Sequence, residues 1–161
     1  MSIRKLGLAA GTAALLAACA TTAPGPVSVA DTIARDPQLS TLNTLVQQAG
    51  LTETLKASGP YTVFAPTNEA FKAVPARTMD ELKNPARLKE VLNHHVLPAR
   101  LPAGEVRPGN VKTVQGGNLA LSKAGDFVTV EDAMVQTADI AAVNGVVHTV
   151  DRVLLLPPAR R

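Results

Sequence analysis

The chain has 161 residues, and its 16 Lys and Arg side chains nearly balance 13 Asp and Glu. It carries one Tyr, three Phe and no Trp. Without a strong positive field, or aromatic rings on which bases could stack, the composition argues against a nucleic-acid partner. The length suits one domain with a single core.

The first eighteen residues are typical of a signal peptide, because Arg4 and Lys5 precede an apolar run from Leu6 to Leu16. This run is shorter than the roughly 20 residues of a membrane-spanning helix, so we expect it to be removed. Leu16-Ala17-Ala18-Cys19 resembles the lipobox of bacterial lipoproteins. The resemblance implies cleavage before Cys19 and lipid on that residue. The alternative is an ordinary secretory signal with an incidental cysteine.

Cys19 is the only cysteine, so an intramolecular disulfide is impossible. Residues 19–28 are predicted to be the lipidated cysteine and a linker, residues 29–156 the domain, and residues 157–161 a tail. The extended linker spans roughly 30 Å, which keeps the domain close to its membrane. By resemblance to lipoprotein sorting, Ala20 after the cysteine implies the outer membrane, with the domain facing the periplasm or the cell surface.

Helical periodicity dominates the first half of the domain. The stripe from Leu39 to Ala49 predicts a helix that ends at Gly50. Thr78 and Glu81 fit a capping box, which predicts a short helix starting there. Asn84 and Pro85 predict the start of another helix that continues through Val96. Its apolar face comprises Leu88, Val91, Leu92 and His95.

Short β-branched runs separated by turn residues dominate the second half. The predicted strands are Tyr61–Phe64, Val111–Val114, Leu119–Ser122, Phe127–Glu131 and Val146–Val150. The last of them follows the turn signal Asn144-Gly145. Helices first and mostly antiparallel strands later predict an α+β fold.

Three segments resemble the fasciclin domain family. They are YTVFAPTNEAF (Tyr61–Phe71), VLNHHV (Val91–Val96) and NGVVHTVDRVLL (Asn144–Leu155), in the family's order. The resemblance implies an α+β fold with a wedge-shaped β-sandwich and helices packed at one side. It also implies extracellular adhesion or matrix contacts and no known catalytic centre. The chain departs from the family at His94, which stands where the family has a tyrosine.

We expect the following residues of these segments to serve the fold: Pro66, Thr67, Asn68, His95, Asn144, Gly145 and His148. Thr67 can cap the helix after the corner at Pro66. His95 shares an apolar helical stripe, so we expect a buried ring hydrogen-bonded to backbone. His94 and His95 point about 100° apart on a helix and cannot easily share an ion. The sequence therefore predicts no metal site.

Catalytic signatures are missing from the sequence, which has no GxSxG elbow, no phosphate-binding glycine loop and no HExxH. We therefore expect no catalytic residue, no enzymatic activity and no cofactor.

Asp139-Ile140 stands where some animal fasciclin relatives carry an Asp-Ile pair credited with receptor binding. An exposed carboxylate beside an apolar anchor would suit a protein partner. We expect the pair to lie in an irregular segment that reaches the surface. The alternative is that Ile140 belongs to the core and Asp139 caps a helical turn leading to Asn144.

The sequence as a whole predicts a non-catalytic module, tethered to a membrane through lipid on Cys19, for adhesion or protein–protein contact at the cell envelope. The expected partner is another envelope or matrix protein. Two alternatives remain open: a periplasmic binding module for a small apolar ligand or a polymer held between the helices and the sheet, and a purely structural envelope lipoprotein.

Overall fold

A computed structural model describes residues 27–156 of the chain. The predicted signal peptide, Cys19, most of the predicted linker and the tail lie outside these residues. Within these residues there are six α-helices: α1 (Val29–Arg35), α2 (Ser40–Gln48), α3 (Thr52–Lys56), α4 (Asn68–Lys72), α5 (Ala76–Glu81) and α6 (Pro85–His94). The described part of the chain has no helix long and apolar enough to cross a membrane.

Seven strands form one sheet: β1 (Tyr61–Pro66), β2 (Val96–Leu97), β3 (Gly109–Lys112), β4 (Asn118–Ala124), β5 (Phe127–Val130), β6 (Ala133–Ala142) and β7 (Gly145–Val150). Their order across the sheet is β2-β1-β7-β6-β5-β4-β3. β1 and β7, the first and last strands within residues 27–156, pair in parallel, and every other pairing in this sheet is antiparallel. The predicted α+β class is confirmed.

Side chains on opposite faces of β1 and β7 contribute to two separate cores. Val63 and Val147 point toward the helices and pack with residues of α1, α2, α3 and α6. Phe64 and Val150 point the other way and pack with Leu119 and other residues of β4 and β5. The two halves of the sheet therefore face each other across the second core, as in a sandwich. Burial on both faces explains the nearly continuous apolar sequence of β1 and β7.

Local signals placed some helix ends correctly. The Asn84 side chain accepts a hydrogen bond from Ala86 N at 3.0 Å at the start of α6. Gly50, with φ of +67°, follows α2 as predicted. The capping-box prediction was wrong, because α5 begins earlier, at Ala76 after Pro75, and has no side-chain cap.

Tertiary pairing moved other boundaries. α6 ends at His94 rather than Val96, because Val96 pairs with Val63 of β1. β3 ends at Lys112 rather than Val114, because the Thr113 N–H turns to the carbonyl of Gly117. The domain's contacts also begin within the predicted linker. Ser28 caps α1 through Asp31 N, and Val27 O accepts from Val143 N at 2.9 Å.

Asn144 joins the ends of two helices to the start of β1. Its side-chain oxygen accepts from Val29 N at 2.8 Å, at the start of α1. Its side-chain NH2 donates to Leu55 O and Ala57 O at 2.7 and 2.8 Å, at the end of α3. Its backbone oxygen accepts from Tyr61 N at 2.9 Å. One amide therefore satisfies backbone groups that helix ends leave without partners.

Gly145 pairs with Tyr61 in the parallel ladder between β7 and β1. A Cβ atom at position 145 would collide with the backbone carbonyl of Tyr61. Because Gly145 has only a hydrogen atom as its side chain, β1 and β7 can approach each other closely. The Asn144 amide fixes where they meet.

We predict that Gly145→Ala destabilises the domain by about 3 kcal/mol or more, because the rigid backbone of β1 has to move. Gly104→Ala is the matched control, since a Cβ at Gly104 has no heavy atom within 4 Å. It should change the free energy of unfolding by about 0.5 kcal/mol or less. Urea denaturation of both variants measures the difference, and equal stabilities would contradict the proposed close approach.

Candidate functional site

The corner after β1 holds the first helical layer in place. Thr67 Oγ1 accepts from Ala70 N at 3.4 Å and caps α4. The Asn68 side chain accepts from Thr41 N at 3.0 Å and donates to Pro37 O at the same distance. Pro66 ends β1 opposite Val150. The side chains of Thr67 and Asn68 thus bind backbone groups of their own chain, at the start of α4 and of α2.

His95 is buried, and both of its ring nitrogens bind backbone. Nδ1 lies 2.7 Å from Val91 O, and Nε2 accepts from Leu154 N at 3.0 Å. Because Nε2 accepts, the proton of the neutral ring sits on Nδ1 and is donated to Val91. Burial lowers the pKa of His95 to about 4. The ring therefore joins α6 to the segment after β7 as a neutral group.

His148 has the same kind of environment on β7. Its Nε2 lies 2.9 Å from Leu101 O, and its Nδ1 accepts from Asp139 N at 3.1 Å. The ring stacks on Phe64 with centroids 5.6 Å apart. Burial lowers the pKa of His148 as well. Neither ring nitrogen of His148 is free to act on a substrate.

His94 differs from the other two histidines, because its side chain is buried but neither ring nitrogen binds backbone, and the polar group beside the ring is the Gln115 side chain. Its Nε2 lies 4.0 Å from Glu131 Oε1, and the ring contacts the turn at Gly117. Burial lowers the pKa of His94 and raises the pKa of Glu131. Both shifts favour the neutral forms, so this pair is a weak one. Within residues 27–156, no cluster of three or more His, Cys, Asp or Glu could hold a metal ion.

Asp139 and Ile140 lie in strand β6, where its ladder with β7 is interrupted between Thr137 and Ile140. Asp139 is exposed and has a φ of +58°. Its carboxylate accepts from Ala103 N at 2.8 Å. Ile140 is half-buried and packs against the helical core. The expected irregular segment is thus an interrupted strand, and the Asp139 carboxylate binds the N–H at the start of a short 3-10 helix (Ala103–Glu105) instead of capping a helical turn before Asn144.

The surface of the described residues includes two open clefts of more than 400 Å³. One, of about 410 Å³, lies beside α4 and the turn between β5 and β6, with Glu131, Asp132 and Arg152 among its walls. The other, of about 470 Å³, is lined by Lys56, Ser58, Gly59, Pro60, Arg100, Val143, Asn144 and Gly145. We call the second one the cationic cleft. Sequence reasoning missed it because Lys56 and Arg100 are far apart in the chain and carry no local pattern.

One face of strands β4 to β6 carries uncharged side chains, most of which are exposed. Paired residues of antiparallel strands project from the same side of a sheet. Ser122 pairs with Thr129, Ala124 with Phe127, and Thr129 with Met134. Together with Ala120 these residues form what we call the outer sheet face.

The outer sheet face displays two large apolar side chains among small ones. Phe127 is 65% exposed and Met134 is 45% exposed. Lys123, on the same strand as Ser122, points inward and donates to Ala103 O at 2.9 Å. The alternation of small uncharged and buried residues from Asn118 to Ala124 is the sequence signal that would have revealed this surface.

The burial of His95 predicts how stability depends on pH. The folded-state pKa of about 4 lies below the ordinary value of 6.5. The contribution of His95 to the free energy of unfolding is therefore fully present above pH 6.5. It is lost as the pH falls toward 4, because in this range only the unfolded state binds the proton. At pH 4.5 His95 alone should lower the free energy of unfolding by about 2–3 kcal/mol relative to pH 7.5.

Urea denaturation at both pH values checks this for the wild type and for His95→Gln, which has no ring to protonate. The variant should be less stable at pH 7.5, yet lose less stability on acidification than the wild type. Equal losses in the two proteins would show that His95 does not cause the pH dependence.

Comparison with known proteins identifies the fold. The structure is similar to a FAS1 domain pair from the insect cell adhesion molecule fasciclin I, with a TM-score of 0.60 and 23% identity. The match covers 73% of this chain and 45% of that chain. The fold of the matched structure agrees with the β-sandwich and packed helices that the sequence predicts.

Two bacterial relatives match at higher identity. Protein sll1483 of Synechocystis sp. is 40% identical over 134 residues, which cover 81% of this chain and 74% of the relative. The cell surface glycolipoprotein MPB83 of Mycobacterium bovis is 36% identical over 155 residues, covering 86% of this chain and 67% of the relative. The model of the fasciclin domain matches residues 37–157, more than half of the sequence. This chain belongs to the fasciclin domain family.

Proposed function

We propose that this protein is an exported, lipid-anchored module that binds another protein at the cell envelope through its outer sheet face. The similar FAS1 domain pair comes from fasciclin I, which is named as an insect cell adhesion molecule. The observation that carries the proposal is the exposure of two large apolar side chains, Phe127 and Met134, among small uncharged ones.

The chemistry of the outer sheet face suits a protein partner. Interface centres are depleted of charged residues and enriched in aromatic residues and Met. Exposed antiparallel sheet faces usually alternate buried apolar with exposed polar residues. Here Phe127 and Met134 stand exposed among Ala120, Ser122 and Ala124, and the carboxylate of Asp151 beside them already accepts a hydrogen bond from Met134 N at 2.7 Å.

The lipid anchor is supported by Leu16-Ala17-Ala18-Cys19 and by a relative named as a cell surface glycolipoprotein. We further propose that the anchor lies in the outer membrane, on the basis of Ala20 directly after the cysteine. The Asp139-Ile140 pair is a second possible contact for a protein partner. Its carboxylate already accepts a hydrogen bond from Ala103 N, and the packing of Ile140 favours a core role for that residue.

A non-catalytic role is supported by the occupied ring nitrogens of His95 and His148. The alternative of a small apolar ligand held between helices and sheet has little support. The space there, bounded by Ile33, Val63 and Leu92 among others, measures about 10 Å³. A single water molecule needs about 10–15 Å³.

Cys19→Ser should release the protein from membrane fractions, because the residue that accepts the lipid is lost. Mass spectrometry of the wild type should find an acylated Cys19 as the first residue. A mature protein that begins elsewhere, or that carries a free thiol, would contradict the anchor while leaving the domain's surface chemistry unaffected.

Phe127→Lys with Met134→Lys should abolish partner capture in crosslinking experiments on intact cells. Both side chains are exposed, so the melting temperature should change by only a few degrees. Leu155→Lys is the matched control, because Leu155 is an exposed apolar residue (38%) outside the outer sheet face. Capture by the double variant equal to that of the control would rule out this face as the contact.

A further inference from the structure

The cationic cleft lies where the chain enters the domain. Val143, one of its walls, donates its N–H to Val27 O at 2.9 Å. Val27 follows Cys19 by only eight positions in the chain, and these are spanned by eight Cα–Cα steps. Fully extended they reach about 28 Å, so a lipid on Cys19 would confine this part of the domain to the neighbourhood of the membrane surface. This step rests on the anchor proposed above.

The walls of the cationic cleft carry the chemistry of an anion site. Lys56 and Arg100 supply two cationic groups and Ser58 a hydroxyl, and none of its lining residues is acidic. Lysine binds phosphate as a point charge and arginine as a two-pronged donor. Val143 is 60% exposed beside them, so an apolar side chain adjoins the cations.

The nearby carboxylates leave these cations available. Glu53 Oε1 lies 3.9 Å from Lys56 Nζ, but the Glu53 side chain is 88% exposed, so this contact is weak. Asp31 also acts on Lys56, yet its carboxylate accepts a hydrogen bond from Ser28 Oγ at 2.7 Å. The salt bridges found among the described residues include none at Arg100.

We propose that the cationic cleft binds the phosphate headgroup of an anionic phospholipid and so seats this end of the domain on the membrane that holds Cys19. Two cations give only a weak site in free solution. The tether raises the effective headgroup concentration at the cleft, so a weak site is occupied. Three features together favour a lipid surface over an acidic protein segment. They are the opposite charges of the cleft and the lipid phosphate, the apolar Val143 beside the cations, and the short tether. Seating at this end also orients the outer sheet face relative to the membrane.

The first test uses the lipidated protein on vesicles. With Cys19 blocked by lipid, Ala57→Cys provides a single site for a fluorophore beside Lys56. Vesicles of phosphatidylcholine, with or without phosphatidylglycerol, carry a spin-labelled headgroup as quencher. Quenching should increase when phosphatidylglycerol is present and decrease when salt is added.

Lys56→Gln with Arg100→Gln should remove the preference for phosphatidylglycerol, a loss of about tenfold to thirtyfold in apparent affinity at low salt. Arg77→Gln with Lys89→Gln is the matched control, because it removes the same two kinds of cation from exposed positions on α5 and α6. The control should retain the preference. A labelled protein that stays on the vesicles without any effect of phosphatidylglycerol would overturn the docking proposal while leaving the anchor standing.

The second test needs no lipid anchor. The Cys19→Ser protein is titrated with glycerol phosphate, and the amide signals of Ser58, Gly59 and Gly145 are followed by NMR. Shifts confined to the cleft and lost in Lys56→Gln with Arg100→Gln support the site. No shift would overturn it. Shifts with glycerol phosphate, combined with no effect of phosphatidylglycerol on the anchored protein, would also overturn the proposal, because the cleft would then bind only free anions.

Discussion

The side-chain amide of Asn144, together with the missing side chain of Gly145, determines where the first and last strands of the sheet meet. Asn144 binds the start of α1, the end of α3 and the start of β1. The parallel pairing of β1 with β7 brings together residues that are about 85 positions apart in the chain. Backbone hydrogen bonds between the strands hold them together, because no turn connects parallel strands directly. Both cores depend on that pairing, since Val63 and Val147 serve the helical core while Phe64 and Val150 serve the other.

The residues that carry the family resemblance are used inside the fold. Thr67 and Asn68 bind backbone at helix starts, and His95 and His148 bridge segments as neutral rings. His94 contributes a buried ring whose nitrogens, unlike those of His95 and His148, bind no backbone group. The binding that we propose is therefore assigned to exposed surfaces, the outer sheet face and the cationic cleft.

Signals that act within a few residues could be read from the sequence. The caps at Thr67 and Asn84 are of this kind, because donor and acceptor lie on neighbouring residues. Strand β6 and the short β2 were not predicted, because pairing with β7 and β1 creates them and their own residues show little alternation. The sequence signal for the outer sheet face was present in β4, where small uncharged residues alternate with buried ones. The cationic cleft had no such signal, because only the folded chain brings Lys56 to Arg100.

The central claim of this account is that a protein partner touches the outer sheet face while the motif residues maintain the fold. A photo-crosslinking amino acid placed at Thr129, in the middle of that face, or at Lys89 on the exposed side of α6, tests it most directly in intact cells. We expect one partner-sized adduct from position 129 and none of that size from position 89. The same adduct from position 89 alone would contradict the account.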